Sequence, residues 1–298
     1  MTEALFDPGT LRKLEQLSLI ASQIREGAIK GERRSRRRGT SIEFADYRSY
    51  VKGDDLRRLD WNIYARLERP FIKLLEEEED LATHLILDAS ASMDWHPERA
   101  FSEKKFVWGM RVLAGLAYIS LVSGDQVMIS ALRGEGNFTW GPHRGRAHLL
   151  PMLKSLEKVK PQGTLDLNQG LRGYAMRAKR PGLCVIISDM MNEAGYRDGL
   201  SLLQGRGFEI ALIHVLSPDE VNPQLDGDLR LIDVETRQPQ EVTLDAETMA
   251  DYQARLLAWR EEIGEFCLKR GIHYITIESS TPWEQLILYE LRRLGVLR

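Results

Sequence analysis

His84-Leu85-Ile86-Leu87-Asp88-Ala89-Ser90-Ala91-Ser92 is the stretch that decides the fold. An apolar run too short to be a helix stops at a carboxylate, and hydroxyls follow at alternate positions. Similar apolar runs recur at 126–132, at 183–188 just ahead of Asp189, and at 208–215. Between them lie helical patterns over about 97–121, 145–158, 165–178 and 196–204. Strands that are apolar at nearly every position are buried on both faces. The alternation therefore predicts an open α/β domain, doubly wound, with a mostly parallel sheet covered by helices. Further on, residues 228–244 read as a β-hairpin insertion around Thr236-Arg237-Gln238. A helix over 247–270, a strand over 272–277 and a helix over 283–294 complete the pattern.

Upstream of residue 81 the pattern is different. Thr10 is placed to cap a helix running to about Gly27, with Leu11, Leu14, Leu17, Ile20, Ala21 and Ile24 at helical spacing. Residues 30–38 hold six basic groups and one acid between flanking glycines, which reads as an exposed loop. Residues 41–44 and 71–75 are strand-like. The chain divides on this reading into an N-terminal segment, 1–80, packed on a main domain, 81–298. Residues 40–80 are too few for a core of their own, yet include Trp61, Tyr64 and Phe71.

With 298 residues, 43% of them hydrophobic and 29% charged, the chain can bury a large core and solvate its surface. A formal net charge of −3 offers no global attraction to nucleic acid or anionic lipid. Cys184 lies inside an apolar strand and reads as a buried free thiol, compatible with a reducing compartment. The N-terminus lacks the pattern of a signal peptide, and no apolar stretch reaches the roughly 20 residues needed to span a bilayer. A cytoplasmic protein without membrane insertion is expected.

Loops at the C-terminal ends of the strands of an open α/β sheet meet in one crevice. Asp88, Ser90, Ser92 and Asp189 fall there, and Thr164 lies in the loop Pro161-Gln162-Gly163-Thr164. Two carboxylates and three hydroxyls form a hard oxygen set suited to Mg²⁺, or to Mn²⁺ or Ca²⁺. Such an ion keeps part of its charge and can accept a partner's carboxylate. The same residues, taken singly, are also ordinary turn and cap formers.

The spacing Asp88-x-Ser90-x-Ser92, the Gly163-Thr164 loop and Asp189 resemble the metal-ion-dependent adhesion site of von Willebrand factor type A domains. The resemblance implies a Rossmann-like three-layer fold with Asp88, Ser90, Ser92, Thr164 and Asp189 as metal ligands. Two positions depart from many relatives: Gln162 stands where a glycine is common, and Met190 follows Asp189 where glycine is common. The upstream residues Gly39-Thr40-Ser41-Ile42-Glu43-Phe44-Ala45-Asp46-Tyr47-Arg48-Ser49-Tyr50, Gly53-Asp54-Asp55-Leu56-Arg57-Arg58-Leu59-Asp60-Trp61 and Ala65-Arg66 resemble the DUF58 family. That resemblance spans about 30–295 and implies a protein partner, a MoxR-type AAA+ ATPase. Arg48, Asp54, Asp55, Arg57, Asp60 and Arg66 form a dense alternation of charge, readable as an ion-pair network or as an ordinary solvated face.

The resulting expectation is a non-enzymatic, metal-dependent protein-interaction module. Two alternatives stand beside it. A metal-dependent phosphoesterase could use Asp94 and His96 to activate water. A nucleic-acid-binding protein could use the arginine loop, Arg36 and Arg37 included. No Gly-x-Ser-x-Gly turn and no glycine loop ending in Gly-Lys-Ser or Gly-Lys-Thr is present, so neither that hydrolase class nor self-sufficient ATP hydrolysis is expected.

Overall fold

The computed structural model describes residues 5–16, 41–51, 59–78, 82–94, 103–134, 136–225, 227–234 and 238–291. The chain forms two compact units. Residues 1–31 and 82–298 make one, and residues 32–81 make the other. The first helix among the described residues thus belongs to the large unit.

Helix α1 (8–16) starts one turn earlier than the sequence reading placed it. Its cap is Asp7, not Thr10. The Thr10 backbone N–H donates to Asp7 Oδ1 at 2.8 Å, and the Thr10 hydroxyl donates to Oδ2 at 3.0 Å. Asp-Pro is a strong start signal, because the aspartate satisfies a free N–H while proline at the first helical position has none to satisfy. Phe6 and Leu14 are buried in the core of the large unit.

In the small unit, β1 (Ser41–Ser49) pairs antiparallel with β2 (Phe71–Glu78), with a register shift between Phe44 and Asp46. Helix α2 (Trp61–Leu67) lies between them in sequence. None of its residues is buried. Trp61 is 64% exposed and Tyr64 44% exposed, so these aromatics do not supply the burial that their chemistry suggests.

The large unit is built on a six-stranded sheet. Its strands are β3 (Ala82–Asp88), β4 (Gln126–Leu132), β5 (Phe138–Arg144), β6 (Leu183–Ser188), β7 (Glu209–Leu216) and, last in sequence, β10 (His273–Glu278). Their spatial order is β10-β7-β6-β3-β4-β5, parallel except for β5. The reading of an open, doubly wound, mostly parallel sheet holds. The edge strand β5 had no legible signal, because Gly141-Pro142 interrupts it. Proline has no N–H for a ladder and is tolerated at an edge. There the pairing with β4 shifts register between Val127 and Ile129.

The two faces of the sheet carry separate cores, as period-2 side-chain alternation requires. Leu85, Leu87, Val185, Ile187, Ile213 and Val215 face one core. Ile86, Cys184, Ile186, Ile210 and Leu212 face the other. On the first side lie α3 (Lys105–Val122), α4 (Leu149–Leu156) and α9 (Trp283–Gln285), which runs on into a π-helical turn, Leu286–Glu290. On the second lie α5 (Leu167–Arg177), α6 (Arg197–Gly205) and the end of α8 (Ala246–Arg270). Helix α3 is long and apolar enough to cross a membrane by length and composition, but 83% of it is buried inside the protein. A helix apolar all round is also what the centre of a large core needs.

Between β7 and α8 come a short capped turn, α7 (Pro218–Val221), and the hairpin of β8 (Gly227–Ile232) and β9 (Pro239–Leu244), a separate two-stranded sheet. Cys184 and Cys267 are free and buried, and burial pushes both thiols up, Cys267 to about 12.

Candidate cation site at the sheet edge

Strands β3 and β6 are neighbours, and from β3 the chain proceeds to β4 on one side and later to β6 on the other. This is the point where strand order reverses and where open α/β sheets open a crevice. Register pairs Leu87 with Ile187, so Asp88 ends β3 level with Ser188, and Asp189 follows one residue later on the neighbouring chain, close enough for its charge to act on Asp88. Both are buried.

The oxygens around them form a chain of contacts. The Ser90 backbone N–H donates to Asp88 Oδ1 at 2.9 Å, and the Ser90 hydroxyl reaches the same oxygen at 2.6 Å. Ser188 donates its hydroxyl to Asp88 Oδ2 at 2.7 Å and accepts the Met190 N–H at 2.9 Å. Ser90 Oγ lies 2.9 Å from Ser92 Oγ, and Ser92 is close enough to the Asp189 carboxylate to help hold its pKa down. Asp88, Ser90 and Ser92 are thus in direct contact, and Asp189 lies beside them.

Burial and the negative charge of Asp189 both raise the pKa of Asp88. Burial alone would raise Asp189 too, but the ammonium of Lys105 beside it outweighs that and holds its carboxyl below the usual range. Lys105, first residue of α3, has a wholly buried side chain. Its Nζ donates to Asp189 Oδ2 at 2.7 Å and to Glu220 Oε1. Burial opposes the charge of Lys105, and the two carboxylates more than restore it. Glu220 belongs to the capping box of α7, where its Oε2 accepts the Ser217 N–H at 2.6 Å and its own N–H donates to the Ser217 hydroxyl at 3.3 Å.

The loop carrying Thr164 is fastened to the same edge. Ala91 N–H donates to Gly163 O and Gln162 N–H to Ala89 O, each at 2.9 Å. Thr164 itself is exposed at the rim. The structure thus bonds Asp88, Ser90 and Ser92 together, brings Asp189 next to Asp88, and carries Thr164 on the adjoining loop. Among the described residues no group of three or more His, Cys, Asp or Glu is placed to hold a metal. Two carboxylates with serine hydroxyls suit a hard, oxygen-seeking divalent ion and no soft one, so the donor chemistry fits Mg²⁺ or Mn²⁺.

Lys105, Ser188 and Glu220 were not anticipated. Glu220 was readable as the last residue of Ser217-Pro218-Asp219-Glu220, a capping box after a strand. The sequence reading placed Lys105 inside a helix over about 97–121, where a single charge reads equally well as a solvated position.

The upstream charges stand apart from this cluster in what they show. Asp60 caps α2, its Oδ1 accepting the N–H of Asn62 at 2.9 Å and of Ile63 at 3.1 Å. Arg66 is exposed, and Arg48 lies in β1. Arg36, Arg37, Asp54, Asp55, Arg57 and His96 lie outside the described residues. Asp94 is a surface residue that accepts from Lys104 at 3.2 Å.

A family model described as "Protein of unknown function DUF58" matches residues 46–262. The chain belongs to the DUF58 family. Uncharacterized proteins of Mycobacterium tuberculosis and Mycobacterium bovis are each 29% identical to it over 282 residues, covering 93% of this chain and 87% of theirs. Among solved structures, BatB from Bacteroides thetaiotaomicron matches 72% of this DUF58 chain and 99% of its own, at 15% identity and a TM-score of 0.44. An aerotolerance-related membrane protein from Bacteroides fragilis matches the same shares at 19% identity and a TM-score of 0.41.

Proposed function

We propose that this DUF58 protein is a non-enzymatic binding module whose sheet-edge cluster holds a divalent cation and presents it to a carboxylate on a protein partner. The observation that supports it is the gathering of two buried carboxylates, Asp88 and Asp189, with the buried hydroxyls of Ser90 and Ser92 at the strand ends. A Mg²⁺ or Mn²⁺ ion would offset negative charge that the serines cannot. Asp88 and Asp189 would bring negative charge to it, Ser90 and Ser92 neutral oxygens, and Thr164 a further hydroxyl from the rim. Neutral ligands leave the ion with charge to offer, which is binding chemistry and needs no turnover. The family resemblance points to a MoxR-type AAA+ ATPase as the partner.

The hydrolase reading draws less from the geometry, since Asp94 is engaged at the surface with Lys104. Calorimetry with Mg²⁺ and Mn²⁺ on the wild type and Asp88→Ala tests the proposal. Saturable heat in the wild type that Asp88→Ala abolishes, with capture of the ATPase reversed by chelation, is the expected result. Equal, negligible heats in both proteins would leave the cluster as turn and cap formers. Metal-dependent hydrolysis of a phosphoester would replace the binding reading with an enzymatic one.

A further inference from the structure

The cluster already contains a cation. Lys105 is buried to 1% exposure, and its ammonium sits between Asp189 and Glu220. Each of those carboxylates has its other oxygen engaged: Asp189 Oδ1 accepts the Met191 N–H at 3.1 Å, and Glu220 Oε2 accepts from Ser217. A lysine at this depth is retained only where charges compensate it, because an unpaired buried ammonium is strongly destabilising. The ammonium contacts two carboxylates, Asp189 and Glu220, and a third, Asp88, lies next to Asp189, so negative groups outnumber the one ammonium. The asymmetry lies in where the ammonium is spent. It occupies an oxygen of Asp189, one of the two charged groups that a divalent ion would use, and leaves Asp88 to the serines.

We propose that Lys105 sets the affinity of the site, as a built-in competitor that shares Asp189 with the divalent ion. This inference rests on reading the cluster as a cation site. Without the ion, the ammonium holds Asp189 and the α7 turn together, so the unit stays folded. When an ion enters, it meets a like charge on the same carboxylate, and its affinity is set below what two free aspartates would give. A partner carboxylate that joins the ion then supplies the negative charge that Lys105 withholds. Metal and partner therefore bind more tightly together than either does alone.

The test is calorimetry of the full chain with Mg²⁺ and Mn²⁺, after stripping with EDTA, paired with thermal unfolding. The proteins are the wild type, Lys105→Met, Glu220→Gln, and the double variant Lys105→Met/Glu220→Gln. The double variant removes one charge of each sign and so guards against simple loss of folding. The expected result is a divalent affinity on the order of tenfold or more higher in the double variant than in Glu220→Gln. Lys105→Met should be less stable than the wild type in EDTA and recover in Mg²⁺. Equal or weaker affinity on loss of the lysine overturns the inference, as does failure of both lysine variants to fold with or without the ion. If the wild type binds no ion but the lysine variants do, the inference stands and the cation-dependent function falls. If the wild type binds and the variants bind no better, the inference alone falls. Absence of binding in all four proteins sinks both.

Discussion

Met190 shows how one residue can carry two opposed demands. It follows Asp189 with its backbone in the left-handed region, φ 60, where a glycine would be relaxed. Its side chain is nonetheless buried at 2% exposure within the second core. The strain is worth about 1 kcal/mol, while emptying a buried methionine site costs about 2–5 kcal/mol. Met190→Gly should therefore be net destabilising by about 2 kcal/mol, which urea denaturation reads directly. A gain in stability would show that strain, not burial, governs this turn.

His84 yields a second prediction at the same scale. Its ring is fully buried, its Nδ1 lies 2.6 Å from the Tyr174 hydroxyl, and burial lowers its pKa from 6.5 to about 4. The folded state thus releases a proton that the unfolded chain holds between those values. The contribution is complete above pH 6.5 and is lost as pH falls toward 4, about 3 kcal/mol in all. His84→Gln should flatten the fall in stability between pH 6.5 and 4.5 by about one proton's slope. An unchanged slope in denaturation series would place the acid sensitivity elsewhere.

At the scale of elements, the site depends on a close approach between two loops. A Cβ on Gly134, just after β4, would sit 2.3 Å from the backbone oxygen of Thr164. Backbone cannot give way as a flexible side chain does, so Gly134→Ala must shift the 161–164 loop that is bonded to Ala89 and Ala91. Divalent-ion affinity should drop about tenfold or more, as when outer groups that orient ligands are disturbed, with little change in secondary structure by circular dichroism. Gly205→Ala, where nothing lies within 4 Å, is the control and should leave affinity unchanged. A second close contact fixes α3 against α9. A Cβ on Gly115 would meet Ile287 Cδ1 at 2.6 Å and Trp283 at 3.0 Å. Gly115→Val should therefore destabilise the large unit by about 1–3 kcal/mol through overpacking, seen as a lowered urea midpoint.

At the scale of the molecule, the proposed ion would link binding to folding, because the cluster joins β3, β6, α3 and α7 only when the chain is folded. At an ion concentration 100-fold above its dissociation constant, the large unit should gain about 2.7 kcal/mol, a rise in Tm on the order of 5–10 °C. Asp88→Ala should show no such rise in scanning calorimetry with Mg²⁺. A rise of equal size in that variant would mean that Mg²⁺ acts somewhere other than the cluster.

The sequence alone determined the layered α/β architecture, because strands 82–88, 126–132, 183–188 and 209–216 each carry a central apolar run and a sheet covered on both faces buries them. It also determined that Asp88 and Asp189 end strands, and topology sends strand ends to one edge. Signals that depend on more distant partners were not legible. The edge strand β5 hides behind Gly141-Pro142, and the helix start at Asp7 was read one turn late. Lys105 looks in sequence like one solvated charge on a helix. Only the tertiary structure buries its ammonium between Asp189, 84 residues away, and Glu220, 115 residues away. Hydrophobic pattern is local and repeats, so it survives in one dimension. A charge balance is a sum over groups that meet only when the chain has folded, and no single stretch of sequence carries it.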